Sequence, residues 1–351
     1  MRRLAAPLAA LAVTLALAAP TLACGGLIGP NGAVNLLRTT TLAGYHDGVE
    51  HYVTAFEFAG GGGSFGSLIP LPGIPTSVAR GGDWTLQRLI RETDPQPLFF
   101  EAAGAVRDRA IVLQQVRIDA LDITILKGGG AEIGVWAKEH GFSLPPDAPE
   151  VLDFYAARSP IFMAASFDAD AAAARGQAIG DGTPVHLTIP TANPWVPLRI
   201  LGLGKPGGEI IQADVYLLTD DRPALLPDPG GKLAAGGLRL AHSDAASDSL
   251  LADLRSDKGM EWIPQSAWLT KVEVDASAAD LRFDLAIDAS GAGHPSLRDA
   301  GLAPFGPLPA PPSMTPLWIL LLAGVLLVPV GGAWLVAGAA RNGGGRPLAG
   351  A

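Results

Sequence analysis

Apolar and polar positions along this chain follow two periods, and the changes of period mark out its elements. Ala33 to Tyr45 and Val49 to Phe58 are rich in Val, Thr, Tyr and Phe and predict two strands. Asp47-Gly48 between them suits a type I′ hairpin turn, in which both central residues take positive φ. Gly60 to Gly63 is a flexible break, and Ser67 to Leu71 reads as a short strand that Pro70, Pro72 and Pro75 stop. Leu86, Leu89 and Ile90 then share one helical face after Asp83, and Ile111 to Lys127 holds a pair of β-rich runs. Ile133, Trp136, Ala137 and His140 follow helical spacing, with Gly141 placed to end the helix in the left-handed region. Asp147, with Glu150 three residues on, predicts a capping box for a helix burying Val151, Phe154 and Tyr155.

Strands are expected at Pro160 to Phe167, Val185 to Ile189, Val196 to Leu203 and Ile210 to Thr219. Arg222 to Gly237 reads as a Pro/Gly loop. Ser247 caps a helix through Leu254 that Gly259 ends, and Ser266 to Val274 and Leu281 to Ile287 are the last strands. Strands outnumber helices without alternating regularly with them. The expected fold is therefore α+β, a β-rich exported body with a few short helices. A sub-boundary within it is expected near 225–237.

Both ends depart from this grammar. Residues 1–23 carry Arg2 and Arg3, an apolar run from Leu4 to Ala19, and small residues at Thr21 and Ala23, the pattern of a signal peptide cut between Ala23 and Cys24. Residues 317–340 hold no charge and are long enough for one transmembrane helix, with Trp318 at the outer end. Arg341 and Arg346 follow, placing the 341–351 tail in the cytoplasm and the 24–300 body outside, a single-pass topology at the cell membrane. Between body and span, residues 301–316 include six prolines, a semi-rigid stalk of roughly 3 Å per residue.

Composition agrees. Of 351 residues, 48% are hydrophobic and only 17% charged, too apolar for a simply soluble or a disordered chain. Four of the 25 basic residues lie in the end segments and none of the 34 acidic ones does. The body therefore has 21 positive against 34 negative charges, a net −13 that excludes nucleic acid as a partner. Cys24 is the only cysteine, so no internal disulfide can form. Its place at the cut raises lipidation, but Thr21 and Leu22 reverse the order a lipobox wants, which favours an unmodified Cys24.

Few motifs suggest chemistry. Gly62 to Gly66 matches G-x-S-x-G, yet the prolines that follow leave no helix for a nucleophile elbow. His46 and His51 would share a face across the Asp47-Gly48 turn, so two imidazoles could approach one metal ion, with Asp47 or Glu50 as a third ligand. The spacing is neither H-E-x-x-H nor H-x-x-E-H, and a hairpin tip more often carries surface histidines. Asp168, Asp170, Asp220 and Asp221 lack the Gly and distant Glu of a calcium loop. His140, His186, His242 and His294 are scattered, and no cofactor fingerprint or catalytic constellation is present.

Several stretches in order resemble the bacterial domain-of-unknown-function family DUF 2330. These are Cys24-Gly25-Gly26 after the leader, Asp47 to His51, Phe65-Gly66, Ile69 to Pro75, Trp136 to Pro145, Val196 to Ile200 and Trp268 to Lys271. The resemblance covers Cys24 to Val274. Gly29 stands where many relatives carry a second cysteine, which removes any disulfide the family forms there. The resemblance implies an exported, often membrane-anchored bacterial protein and brings no catalytic residues.

The expected function is a binding or structural module of the bacterial cell envelope. It would be held to the lipid bilayer by one helix and would meet an envelope protein or ligand. The competing expectation is an envelope hydrolase, metal-assisted through His46 and His51.

Overall fold

The computed structural model describes residues 26–29, 32–33, 39–56, 66–93, 112–168, 183–230, 236–289 and 295–302. These fall within one compact unit, Met1–Pro304. The expected signal peptide, Cys24, most of the stalk, the 317–340 span and the tail lie outside the described residues, as does Ser64 of the G-x-S-x-G match. No described helix is long and apolar enough to cross a membrane.

Three sheets and four short helices make up the described body, an α+β architecture. A six-stranded antiparallel sheet contains β1 (Gly26–Gly29), β2 (Gly32–Ala33), β5 (Gly66–Pro70), β7 (Val112–Ile118), β8 (Leu121–Lys127) and β9 (Ile161–Phe167). Its order is β2-β1-β5-β9-β8-β7. A seven-stranded sheet contains β3 (Thr39–His46), β4 (Val49–Phe56), β6 (Ser77–Arg80), β10 (Thr183–Pro190), β12 (Ile210–Thr219), β14 (Leu238–Ala245) and β15 (Trp268–Ser277). Its order is β14-β15-β12-β3-β4-β10-β6, and it is mixed because β3 and β12 run parallel. Three short strands, β11 (Trp195–Val196), β16 (Leu285–Asp288) and β13 (Ala224–Leu226), pair in that order.

Strand alternation divides the seven-stranded sheet into two apolar faces. Ala43, Tyr52, Leu187, Val215, Leu217 and Val272 point inward, against Ile69, Ile123, Ile125 and Met163 of the other large sheet. Leu42, Val53, Tyr216, Leu218 and Leu269 point outward, under helices α1 (Thr85–Thr93) and α4 (Asp248–Ser256). Helices α2 (Gly130–Glu139) and α3 (Ala148–Ala156) cover the far side of the six-stranded sheet through Ile133, Trp136, Leu152 and Phe154. The result is helix, sheet, sheet, helix, with every large apolar residue of these faces worth about 1.5–3 kcal/mol on burial.

Most expected elements are present, and the exceptions have physical causes. Val196 to Leu203 is not one strand: β11 gives way to a 3-10 turn over Arg199–Gly202. The buried Asp284 carboxylate accepts the N–H groups of Leu198 (2.7 Å) and Arg199 (3.0 Å), which takes those donors away from any ladder. Asp147 does not cap α3 with its side chain; its carboxylate accepts the Gly204 N–H at 3.0 Å, and Glu150 pairs with Arg199 instead. The Arg222 to Gly237 stretch is not all loop, since β13 lies within it and pairs with β16. Strand β14 follows, with polar positions too frequent for its alternation to be read. Gly259 has positive φ (85°), but α4 stops earlier, at Ser256.

Candidate functional site

The β3–β4 hairpin turns at Asp47 (φ 50°) and Gly48 (φ 78°), the two positive values a type I′ turn needs. Its register pairs Gly44 with His51, Tyr45 with Glu50, and His46 with Val49. Directly opposed residues share a face, so His46 and His51 lie on the helix-covered side and Glu50 on the inner side. Glu50 therefore cannot join the two histidines, and the Glu50 option for a third ligand is corrected by the pleat.

The two histidines also part company. His46 Nδ1 lies 2.6 Å from Asp220 Oδ1, and its Nε2 lies 3.3 Å from Asp47 Oδ2. His51 Nδ1 instead lies 2.9 Å from His186 Nε2, on neighbouring strand β10. Trp262 stacks flat on His51, with ring centroids 4.0 Å apart and planes within 4°, and reaches His186 at 5.5 Å. This stack requires glycine at 44, because a Cβ there would stand 2.4 Å from Trp262 Cη2.

Burial holds both imidazoles neutral at pH 7. His51 is lowered to about 4 by desolvation first, then by His186 and His46; His186 is lowered to about 4 by desolvation, against an upward pull from Glu261. One ring donates to the other, so the lone pair between the two facing nitrogens is already taken. A tetrahedral zinc at about 2.0–2.1 Å from each nitrogen would also hold the two nitrogens about 3.3 Å apart, wider than the 2.9 Å found here. Among the described residues, no group of three or more His, Cys, Asp or Glu is placed to hold a metal ion.

Beneath the hairpin, Glu50 is fully buried, and neither carboxylate oxygen has a hydrogen-bond partner. Desolvation raises it to about 8, with the Trp195 backbone amide, off hydrogen-bonding geometry, pulling back weakly. Tyr45 beside it is raised by burial, then by Glu50 and Asp288, and its O–H donates to the Thr191 carbonyl at 3.0 Å. A second buried charge is fully partnered. Asp284 receives Arg158, the Tyr155 O–H (2.8 Å) and two backbone N–H groups, which makes it a structural anchor for the small sheet.

A cavity of about 540 Å³ opens between β13, β14 and β15, closed on one side by Pro295 and Leu297. Leu225, Leu226 and Leu240 give it an apolar wall, and Arg222 stands at its margin. Thr270 lines it as well, 1% exposed, with its hydroxyl unpartnered. Ser243 Oγ, also on the wall, accepts the Trp268 indole N–H at 2.9 Å. Sequence reasoning missed this site because its walls come from segments some 70 residues apart. It left His186 scattered, although the alternation of Val185, Leu187 and Ile189 with His186 and Thr188 puts that histidine on the His51 face.

A family model described as an uncharacterized protein conserved in bacteria, DUF2330, matches residues 18–287. The chain belongs to the DUF2330 family. No curated protein matches it. Among solved structures, this DUF2330 chain is similar to a mutated baculovirus P35 after caspase cleavage, at 8% identity and a TM-score of 0.40, over 73% of this chain and 98% of that one. It is also similar to P35 in a caspase-8/P35 complex, at 9% identity and a TM-score of 0.37, over 71% of this chain and 95% of that one. At these scores and identities the likeness carries no argument for fold or function in the DUF2330 chain.

Proposed function

We propose that this DUF2330 chain is an extracytoplasmic binding module of the bacterial envelope, anchored by one helix, that receives a small molecule in the cavity beside β13. The observation that carries this reading is the cavity itself. Its volume lies within the range of roughly 300–1,000 Å³ usual for small-molecule sites, and its wall is apolar with a few polar groups. A buried hydroxyl without a partner is costly, and a bound ligand would supply the missing bond to Thr270. The leader pattern in 1–23, the 317–340 stretch and the acidic body support the placement outside the membrane. A hydrolase built on His46 and His51 has less support, since those rings pair with Asp220 and His186 rather than with each other.

Native mass spectrometry of the full chain drawn from its own membranes is the test. A stoichiometric adduct of small-molecule mass is expected, and it should vanish when Leu240→Trp fills the cavity. A bare protein that no member of a small-molecule library stabilises against heat would overturn the binding reading. Protease added to intact cells lacking an outer barrier should digest the body, and protection there would overturn the topology.

A further inference from the structure

Resting on that binding reading, we propose that the cavity's ligand is an organic monoanion, an apolar-bodied carboxylate, with its head at Arg222, Thr270 and Ser243. The arginines point this way. Six described arginines pair with carboxylates, among them Arg80, Arg88 and Arg117. Three more donate to backbone carbonyls. In a chain of net charge −9, with acids in excess, that is the expected outcome. Arg222 and the exposed Arg91 of α1 have no partner of either kind among the described residues, and of the two only Arg222 stands at the cavity.

Two hydroxyls complete the head site. Thr270 is buried with its oxygen unpartnered, so its O–H is free to donate. Ser243 Oγ already accepts the Trp268 N–H, which leaves the Ser243 proton for an acceptor on the ligand. A guanidinium with two hydroxyl donors matches a carboxylate, which is acceptor-only. Leu225, Leu240 and Leu297 suit an apolar body rather than a sugar or a peptide backbone. Asp228 also lines the cavity, its Oδ1 taking the Gly230 N–H at 2.9 Å, and its charge disfavours a dianion.

The test uses the full chain in lipid nanodiscs, with empty nanodiscs as the blank, titrated calorimetrically with hexanoate, 1-hexanol and hexylammonium. Hexanoate should bind roughly ten- to hundredfold more tightly than the other two. Arg222→Gln, at an exposed position without a described partner, should erase that preference and leave hexanol binding unchanged. Leu240→Trp should abolish all three. Equal binding of the three, or a preference for the cation, overturns the carboxylate and leaves the small-molecule reading standing. Hexanoate binding that survives Leu240→Trp overturns the placement of the site. Binding of none of them overturns the carboxylate, and the native adduct then decides separately whether the cavity binds anything.

Discussion

A carboxyl group enclosed between two sheets with no donor in hydrogen-bonding geometry must surrender its charge or carry the cost of desolvation. Glu50 does the first, with its acidity pushed up to about 8. Because that value lies above the unfolded one of 4.5, its contribution to stability is fully present below pH 4.5 and is lost as pH rises through 8. The loss is on the order of 3–5 kcal/mol over that window, by conversion of the shift. Glu50→Gln should remove this slope, so that urea midpoints of variant and parent agree near pH 5 and diverge in the variant's favour at pH 9. Gly44 makes the opposite kind of demand, for space instead of charge. Gly44→Ala drives a methyl into the Trp262 ring and should cost about 1–3 kcal/mol in thermal or urea unfolding, with a shift in tryptophan emission. Neither demand shows in the residues alone. A glutamate beside a hairpin turn reads as solvated, and a strand glycine reads as a weak point, until the register turns one inward and lays an indole on the other.

Elements were legible where a local rule decides them. The hairpin at Asp47-Gly48, the stop at Gly141 and the Ser247 cap, whose Oγ accepts the Leu250 N–H at 3.2 Å, all rest on neighbours in sequence. Elements failed to be legible where a distant side chain supplies the cap. The Arg199–Gly202 turn depends on Asp284, some 86 residues away. The start of α1 is the same case. The sequence starts this helix at Asp83, yet Asp257 accepts the N–H groups of Asp83 (3.0 Å) and Trp84 (2.9 Å) and the Thr85 hydroxyl (2.8 Å). One carboxylate thus ties the first turn of α1 to the chain leaving α4, over the outer face of the sheet. Asp257→Ala strands these donors and should cost about 1–2 kcal/mol or more, as lost caps do. Amide exchange should accelerate over 85–93 before it does in the β3 and β12 strands beneath, and uniform acceleration would show that Asp257 is not a local cap.

At the scale of the whole molecule, the hairpin sets two opposed proton equilibria on the two faces of one sheet. Inside, Glu50 makes stability fall as pH rises from 4.5 to 8. Outside, His51 and His186 are held at about 4 against an unfolded value of 6.5, so the unfolded chain takes up protons that the folded one refuses. Their contribution is complete above pH 6.5 and is lost as pH falls through 4. Between 4.5 and 6.5 the two effects oppose. The folded rings stay neutral in this window while the unfolded ones take up two protons, so the histidines prevail over Glu50 and stability climbs with pH. Above 6.5 Glu50 acts alone, so the decline toward alkaline pH begins there. Urea midpoints of the full chain, taken at constant ionic strength from pH 4 to 9, should therefore peak near pH 6.5. Glu50→Gln should hold its midpoint from 6.5 to 8. A parent midpoint that keeps rising through pH 8 would mean that Glu50 is ionised in the folded state, and with it the account of the inner face would fail.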